Sequence, residues 1–131
     1  MGWDTMPRNM SFSMTTPQFI DGSKDVTRRF GWWNAKAGDI YNAVEKAMGL
    51  KKGEKIKSLG LIRVVSARKE PLSNLLHDGY GDNEVRREGY PFGCKTGKEF
   101  AEILAKKSGY VLDSYCMRIE FERVENEKKG T

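Results

Sequence analysis

Gly22-Ser23-Lys24-Asp25-Val26-Thr27-Arg28-Arg29 sets an ammonium, a threonine hydroxyl and two guanidinium groups within eight residues. Just upstream, Thr16-Pro17 reads as a helix N-cap followed by proline in the first turn, where an N–H has no helical partner anyway. A short helix over Pro17–Asp21 then ends at Gly22, which tolerates the left-handed geometry of a helix end. Past that turn the chain takes on strand character. Thr27 and Arg29 fall on one face of such a strand and Val26 on the other. Lys24 joins Thr27 only if the chain turns before the strand begins, and Gly22-Ser23 supplies the turn.

Upstream of this stretch, Met10, Phe12 and Met14 alternate with Ser11 and Ser13, the period of a half-buried strand. Residues 1–9, which include Trp3, show no clear period and read as a leader. Downstream, Phe30-Gly31-Trp32-Trp33 is an aromatic loop closing at Gly38-Asp39. Ile40–Met48 fits a helical stripe through Ile40, Val44 and Ala47/Met48 somewhat better than a strand face through Ile40, Asn42 and Val44. Ile56–Ala67 is the strongest strand, with apolar residues on both faces near its middle. Leu72, Leu75 and Leu76 suggest a helical turn after Glu70-Pro71, and Asp82 caps a short helix through Arg87. Thr96-Gly97-Lys98-Glu99 is a capping box. Its helix is expected to bury Phe100, Ile103 and Leu104, to carry a Glu102–Lys106 pair and to stop at Gly109. Tyr115, Met117, Ile119 and Phe121 then alternate with Cys116, Arg118, Glu120 and Glu122 as an amphipathic strand. Residues 10–124 read as one domain and residues 125–131 as a charged tail. The fold class is α+β, a sheet curled toward a barrel from about five to six strands with two to three short helices.

A chain of 131 residues buries a core without staples. Its net charge of +5 and pI near 9.2 suit an anionic partner without requiring one. Residues 51–69 hold seven Lys/Arg and one Glu, a net +6 that exceeds the charge of the whole chain. No apolar run reaches membrane-spanning length, and the N-terminus lacks the apolar core of a signal peptide. Cys94 and Cys116 form no C-x-x-C pair and, with the lone His77, make a poor zinc set. No metal or cofactor is expected, and both cysteines read as reduced thiols of a cytoplasmic protein.

Lys24, Thr27 and Glu88 are the groups that chemistry would gather in one cleft. A lysine stripped of hydration has a lowered pKa and can act as a base. A threonine hydroxyl becomes a nucleophile once a base takes its proton, and a carboxylate can orient the lysine or activate water. On spacing alone, solvated Lys24 and Arg29 and a merely β-branched Thr27 are the better explanation of the stretch. One of Trp32 and Trp33 can stack a nucleobase beside Arg28 and Arg29, or both rings can cover the barrel end. Lys55 and Lys57, in the basic segment, can track phosphates or simply sit in a solvated hairpin.

Read as glycine at 22, lysine at 24, threonine at 27 and arginine at 29, the stretch resembles the signature of the ASCH domain family, small β-barrels related to the PUA fold. The similarity extends from Met10 through Phe121, with Gly38-Asp39 opening a strand at Ile40 and an acidic-glycine pair at Glu88-Gly89. The overall look is most similar to phage-encoded members. The resemblance implies a mostly antiparallel barrel that binds RNA in a cleft. It also implies, from small members that deacylate N4-acetylcytidine, a catalytic Lys24, Thr27 and Glu88. This chain is longer than those enzymes around residues 77–95, so Glu84 and Glu70 stand beside Glu88 as alternatives. The expectation is a binder of RNA or a modified nucleoside; the alternatives are an N4-acylcytidine amidohydrolase and a surface serving a protein partner. A ribonuclease, also known in the family, would need an acid and a base that one histidine does not supply.

Overall fold

The computed structural model describes residues 7–47, 50–91 and 94–124. Its sheet comprises β1 (Arg8–Ser11), β2 (Val26–Arg29), β3 (Ile40–Val44), β4 (Ser58–Pro71) and β5 (Tyr115–Arg123). The spatial order is β1-β3-β4-β5-β2, with β1 and β3 parallel and the other neighbours antiparallel. Three helices accompany it, α1 (Thr16–Asp21), α2 (Tyr80–Arg87) and α3 (Gly97–Ser108), and a 3-10 turn over Leu72–Leu76 follows β4. This is the α+β class read from the sequence, with the sheet curled into a half-barrel.

The curl starts in β4. It is 14 residues long, pairs β3 through its first half and β5 through most of its length, and slips register between Val64 and Ser66. Such a bulge bends a strand and sharpens its twist. The bend brings the two outer strands, β1 and β2, to opposite lips of a seam. Across that seam the Arg29 Nη2 donates to the Ser11 carbonyl at 2.5 Å. Phe19 of α1 plugs the interior, with its ring 4.9 Å from Phe12 and 6.0 Å from Phe121.

Both faces of the sheet are covered. The inner face gathers Met10, Phe12, Ile62, Ile119 and Phe121. The outer face packs Leu72, Leu75, Val85, Phe100 and Cys116 under the helices. A Cβ at Gly81 or at Gly97 would overlap the Leu75 carbonyl oxygen, so α2 and α3 close on that turn because both positions are glycine.

Several expectations need correction. The first strand begins at Arg8, inside the expected leader, and Met14 is exposed in the turn beyond it. Residues 1–6, with Trp3, and the tail 125–131 lie outside the described residues. Ile40–Val44 is the strand that the family resemblance implied, against the helical lean of its periodicity; Met48 is not among the described residues. Thr15, not Thr16, holds the N-cap position of α1. The main strand starts at Ser58 and runs on to Pro71, leaving Ile56 exposed. In α3 the buried face is Phe100, Ala101 and Ala105, whereas Ile103 is exposed. Glu102 and Lys106 do not approach to ion-pair distance, since the helix is held by its caps and its buried face. β5 is not half-solvated: Cys116 and Arg118 are as buried as Met117 and Ile119, because helices cover its second face.

Candidate functional site

Two turns assemble the site. Gly22 ends α1 at φ 86°, and the Lys24 N–H then donates back to the Gln18 carbonyl at 3.2 Å, which turns the lysine inward. On the other side, α2 ends and Glu88-Gly89 follows. Gly89 has φ 112°, and a Cβ there would fall 2.8 Å from the Gln18 Cβ and 3.3 Å from the Lys24 Cβ. Only glycine allows both that backbone and that approach. The approach delivers Glu88 onto Lys24: Nζ donates to the Glu88 carbonyl at 3.0 Å and to Oε1 at 2.9 Å. Lys24 is 5% exposed and Glu88 3%. Burial lowers the lysine pKa, and the Glu88 charge recovers only part of that loss.

Arg28 points the other way, under the helices. Its Nη1 donates to Glu88 Oε2 at 3.1 Å, and its Nη2 donates at 2.7 Å both to Glu70 Oε2 and to Glu84 Oε1. Arg118, opposite Arg28 in the strand register, donates from Nε and Nη2 to the two oxygens of Glu84 at 2.6 and 3.1 Å. Lys24, Arg28 and Arg118 thus face three carboxylates in one buried, hydrogen-bonded cluster. Burial pushes the Glu70 carboxyl up, but the hydrogen bond and charge of Arg28 outweigh it and the net shift is down. Glu84 follows the same balance, with Arg118 and Arg28 as donors. All three glutamates weighed in the sequence therefore meet Arg28, and Glu88 is the one that also meets Lys24.

A cleft of about 790 Å³ opens at the seam and is lined by Lys24, Thr27, Arg29 and Glu88. The Arg29 Nε donates to Thr27 Oγ1 at 3.1 Å, and its guanidinium lies 5.0 Å from the Phe12 ring centroid. Burial lowers Arg29 to about 10, the charge of Glu88 working against that shift. Phe30 and Tyr110 form an aromatic wall, stacked at 3.9 Å and 13°. Volume, aromatic walls and a few convergent polar groups are the ordinary make-up of a small-ligand site. The cleft joins a curved sheet to buried basic and acidic groups in a form suited to a ligand or nucleic acid. A second hollow of about 880 Å³ lies on the far side of Gly89-Tyr90 and includes none of Lys24, Thr27, Arg29 or Glu88.

No family model matches the chain, and no curated protein matches it. Its fold resembles a solved one. Protein EF3133 of Enterococcus faecalis V583, of the DUF984 family, matches with a TM-score of 0.61 at 17% identity, over 97% of this chain and 83% of that one. At that identity the likeness shows the fold alone.

The remaining candidates lie elsewhere. Trp32 sits edge-on to Tyr41 at 5.0 Å beneath the Arg8 guanidinium, and Trp33 is 43% exposed with the Lys69 ammonium 5.7 Å from its ring. Neither lines the cleft. Lys55 and Lys57 border a smaller hollow that shares only Ser13 with it. Part of the basic segment is matched in space: Arg63 pairs with Glu122 and Arg68 with Glu70. Sequence reasoning missed the cleft's α3 side, including Phe30, Tyr110, Lys95 and Lys107. It also missed Arg118, which reads in the sequence as one of the polar residues alternating along the strand with Glu120 and Glu122. Among the described residues, no His/Cys/Asp/Glu group is set to hold a metal, and no helix is long and apolar enough to cross a membrane.

Proposed function

We propose that this chain is an ASCH-type domain whose seam cleft binds a modified nucleoside. The observation that carries the reading is the buried Lys24–Glu88 pair at 2.9 Å, opening onto the same cleft as Thr27 and Arg29. Two of the lysine protons go to Glu88, and a third is available to a ligand carbonyl. Aromatic side chains flank the position a base would take, and a base–aromatic stack contributes about 1–3 kcal/mol. Buried polar groups of this kind discriminate strongly, because a ligand that fails to pair them leaves them unsatisfied.

A second reading, hydrolysis of an N4-acylcytidine, is supported by the lowered pKa of Lys24. In its neutral form the lysine takes the Thr27 proton as Oγ1 bonds to the acyl carbon. The carbonyl oxygen gains charge beside Arg29, the C–N4 bond breaks, and the proton passes to the departing amine. Water, deprotonated by the carboxylate, then attacks the acyl carbon; the C–Oγ1 bond breaks, the acid leaves and that proton returns to Thr27 Oγ1. The test is incubation of the purified protein with N4-acetylcytidine, read by chromatography for cytidine beside a Lys24→Ala control. Cytidine formed by the wild type and absent with the variant supports hydrolysis. Saturable binding without turnover retains the first reading, and absence of both removes both.

A further inference from the structure

Lys24 Nζ makes two hydrogen bonds, both to Glu88: it donates to the carbonyl at 3.0 Å and to Oε1 at 2.9 Å. Among the described residues no further acceptor lies within hydrogen-bond distance, and the Phe12 ring beside it has its centroid 6.0 Å away. An ammonium has three protons to place, a neutral amine two. The charged form therefore leaves one N–H without a protein partner in a side chain 3% exposed, whereas the neutral form uses both protons and keeps a lone pair. The surrounding charge favours the same form. Taken with Arg29, the buried cluster sets four cations, Lys24, Arg28, Arg29 and Arg118, against Glu70, Glu84 and Glu88. Glu88 is divided, its second oxygen bonded by Arg28 at 3.1 Å. Arg29 has no carboxylate within ion-pair distance among the described residues, and Asp25 is held by Arg87. Arg68 at the edge of the cluster, and Lys95 and Lys107 on the α3 side of the cleft, add further positive charge. Guanidinium groups keep their protons at neutral pH, so Lys24 is the member of the cluster that can relieve the excess.

We infer that Lys24 is a nucleophilic amine that captures an aromatic aldehyde in the cleft as a reversible imine. The Nζ lone pair bonds to the carbonyl carbon, and the C=O electron pair moves onto oxygen. Glu88 Oε1, bonded to Nζ, takes the proton that the nitrogen loses and passes it to that oxygen, giving a carbinolamine. A second transfer of the same kind expels water as the C=N bond forms, so one aldehyde and one amine give one imine and one water. Thr27 lines the same cleft, and its Oγ1 accepts from Arg29 Nε at 3.1 Å, which leaves the hydroxyl proton free to bond the aldehyde oxygen. The cleft walls select the body of the aldehyde. α3 turns its small residues, Ala101 and Ala105, to the core and sets Ile103 and Leu104 on the cleft, beside the stacked Phe30 and Tyr110. Ile103 is 47% exposed there, an apolar surface that an aromatic ring covers and a chain of hydroxyls does not.

The experiment incubates the purified protein at neutral pH with benzaldehyde and cyanoborohydride, which reduces an imine to a stable benzylamine, and maps the labelled lysines by peptide mass spectrometry. An exposed lysine of ordinary pKa is neutral in about one molecule in a thousand near pH 7.4. Lys24 is therefore expected to label at least about tenfold faster than the exposed Lys106 and Lys107 in the same sample. Arg29→Gln removes the uncompensated charge, so the pH profile of Lys24 labelling should move toward alkali while those of Lys106 and Lys107 stay in place. Wild-type Lys24 labelling no faster than the exposed lysines overturns the inference, whether the amine is charged or out of reach. Labelling slowed by N4-acetylcytidine places both ligands on one amine. Labelling that the nucleoside does not slow leaves the inference standing and tells against the nucleoside reading of the cleft.

Discussion

Replacing Arg28 by methionine would take one partner from each of Glu70, Glu84 and Glu88, leaving them Arg68, Arg118 and Lys24 and the buried cluster one positive charge short. Breaking a buried pair costs about 3–5 kcal/mol, because the remaining charge is stranded in low dielectric. We expect Arg28→Met to lose that much in urea unfolding, and a loss below about 1 kcal/mol would show that the cluster relaxes into water. Glu88→Gln keeps shape and one acceptor but removes the charge facing Lys24. Its signature is loss of nucleoside binding with a smaller loss of stability than Arg28→Met, seen by calorimetry on the same sample. Acid should act through the same cluster. Glu70 and Glu84 titrate below their ordinary value of 4.5 when folded, so the unfolded chain binds more protons in the interval. Their contribution is complete above pH 4.5 and disappears as pH falls through the lowered folded values. Thermal midpoints of wild type and Glu84→Gln should therefore differ most near neutrality and converge in acid; a constant gap refutes the assignment. Lys24, Thr27 and Glu88 were gathered as a set on the family resemblance, with Glu84 and Glu70 beside Glu88; residue types and the turn at Gly22-Ser23 alone favoured a solvated Lys24. The place of Arg28 was not legible, since alternation assigns a side chain to a face without naming what covers that face.

Elements were legible where local chemistry alone fixes them. The capping box of α3 forms as read, with the Glu99 N–H donating to Thr96 Oγ1 and the Thr96 N–H to Glu99 Oε1, and Gly109 ends the helix. What burial depends on was not legible. Ile103 fits the helical stripe as well as Ala101 does, yet the tight approach of α3 to the Leu72–Leu76 turn selects the small residue. Glycine sets two such approaches. Gly97→Ala forces a methyl against the Leu75 carbonyl, and overpacking of this kind costs about 1–3 kcal/mol. A fall in thermal midpoint without loss of nucleoside affinity in the surviving fold is the expected outcome. Gly89→Ala is expected to do the reverse in proportion. It strains the backbone and pushes Glu88 off Lys24, so affinity should fall further than the modest stability change explains. Titration calorimetry on both variants separates the two roles.

At the scale of the molecule, the sheet is organised around its interior strands. β5 lies between β4 and β2 and presents buried side chains to both cores. Amide exchange should be slowest in β4 and β5 and fastest in β1, whose four residues pair on one side alone. Slow exchange in β1 would mean that its second edge is covered in solution. The period of Tyr115–Phe121 predicted the strand; that it is central follows from partners distant in sequence, which periodicity does not carry. The seam has one more consequence. A half-barrel keeps two unpaired strand borders, and such borders invite a second copy to extend the sheet. Here both are only four residues long, they confront one another across Arg29, and α1 intervenes. A molecule that settles in the seam also screens those borders, so occupancy should slow the self-association of concentrated protein in addition to raising its melting temperature.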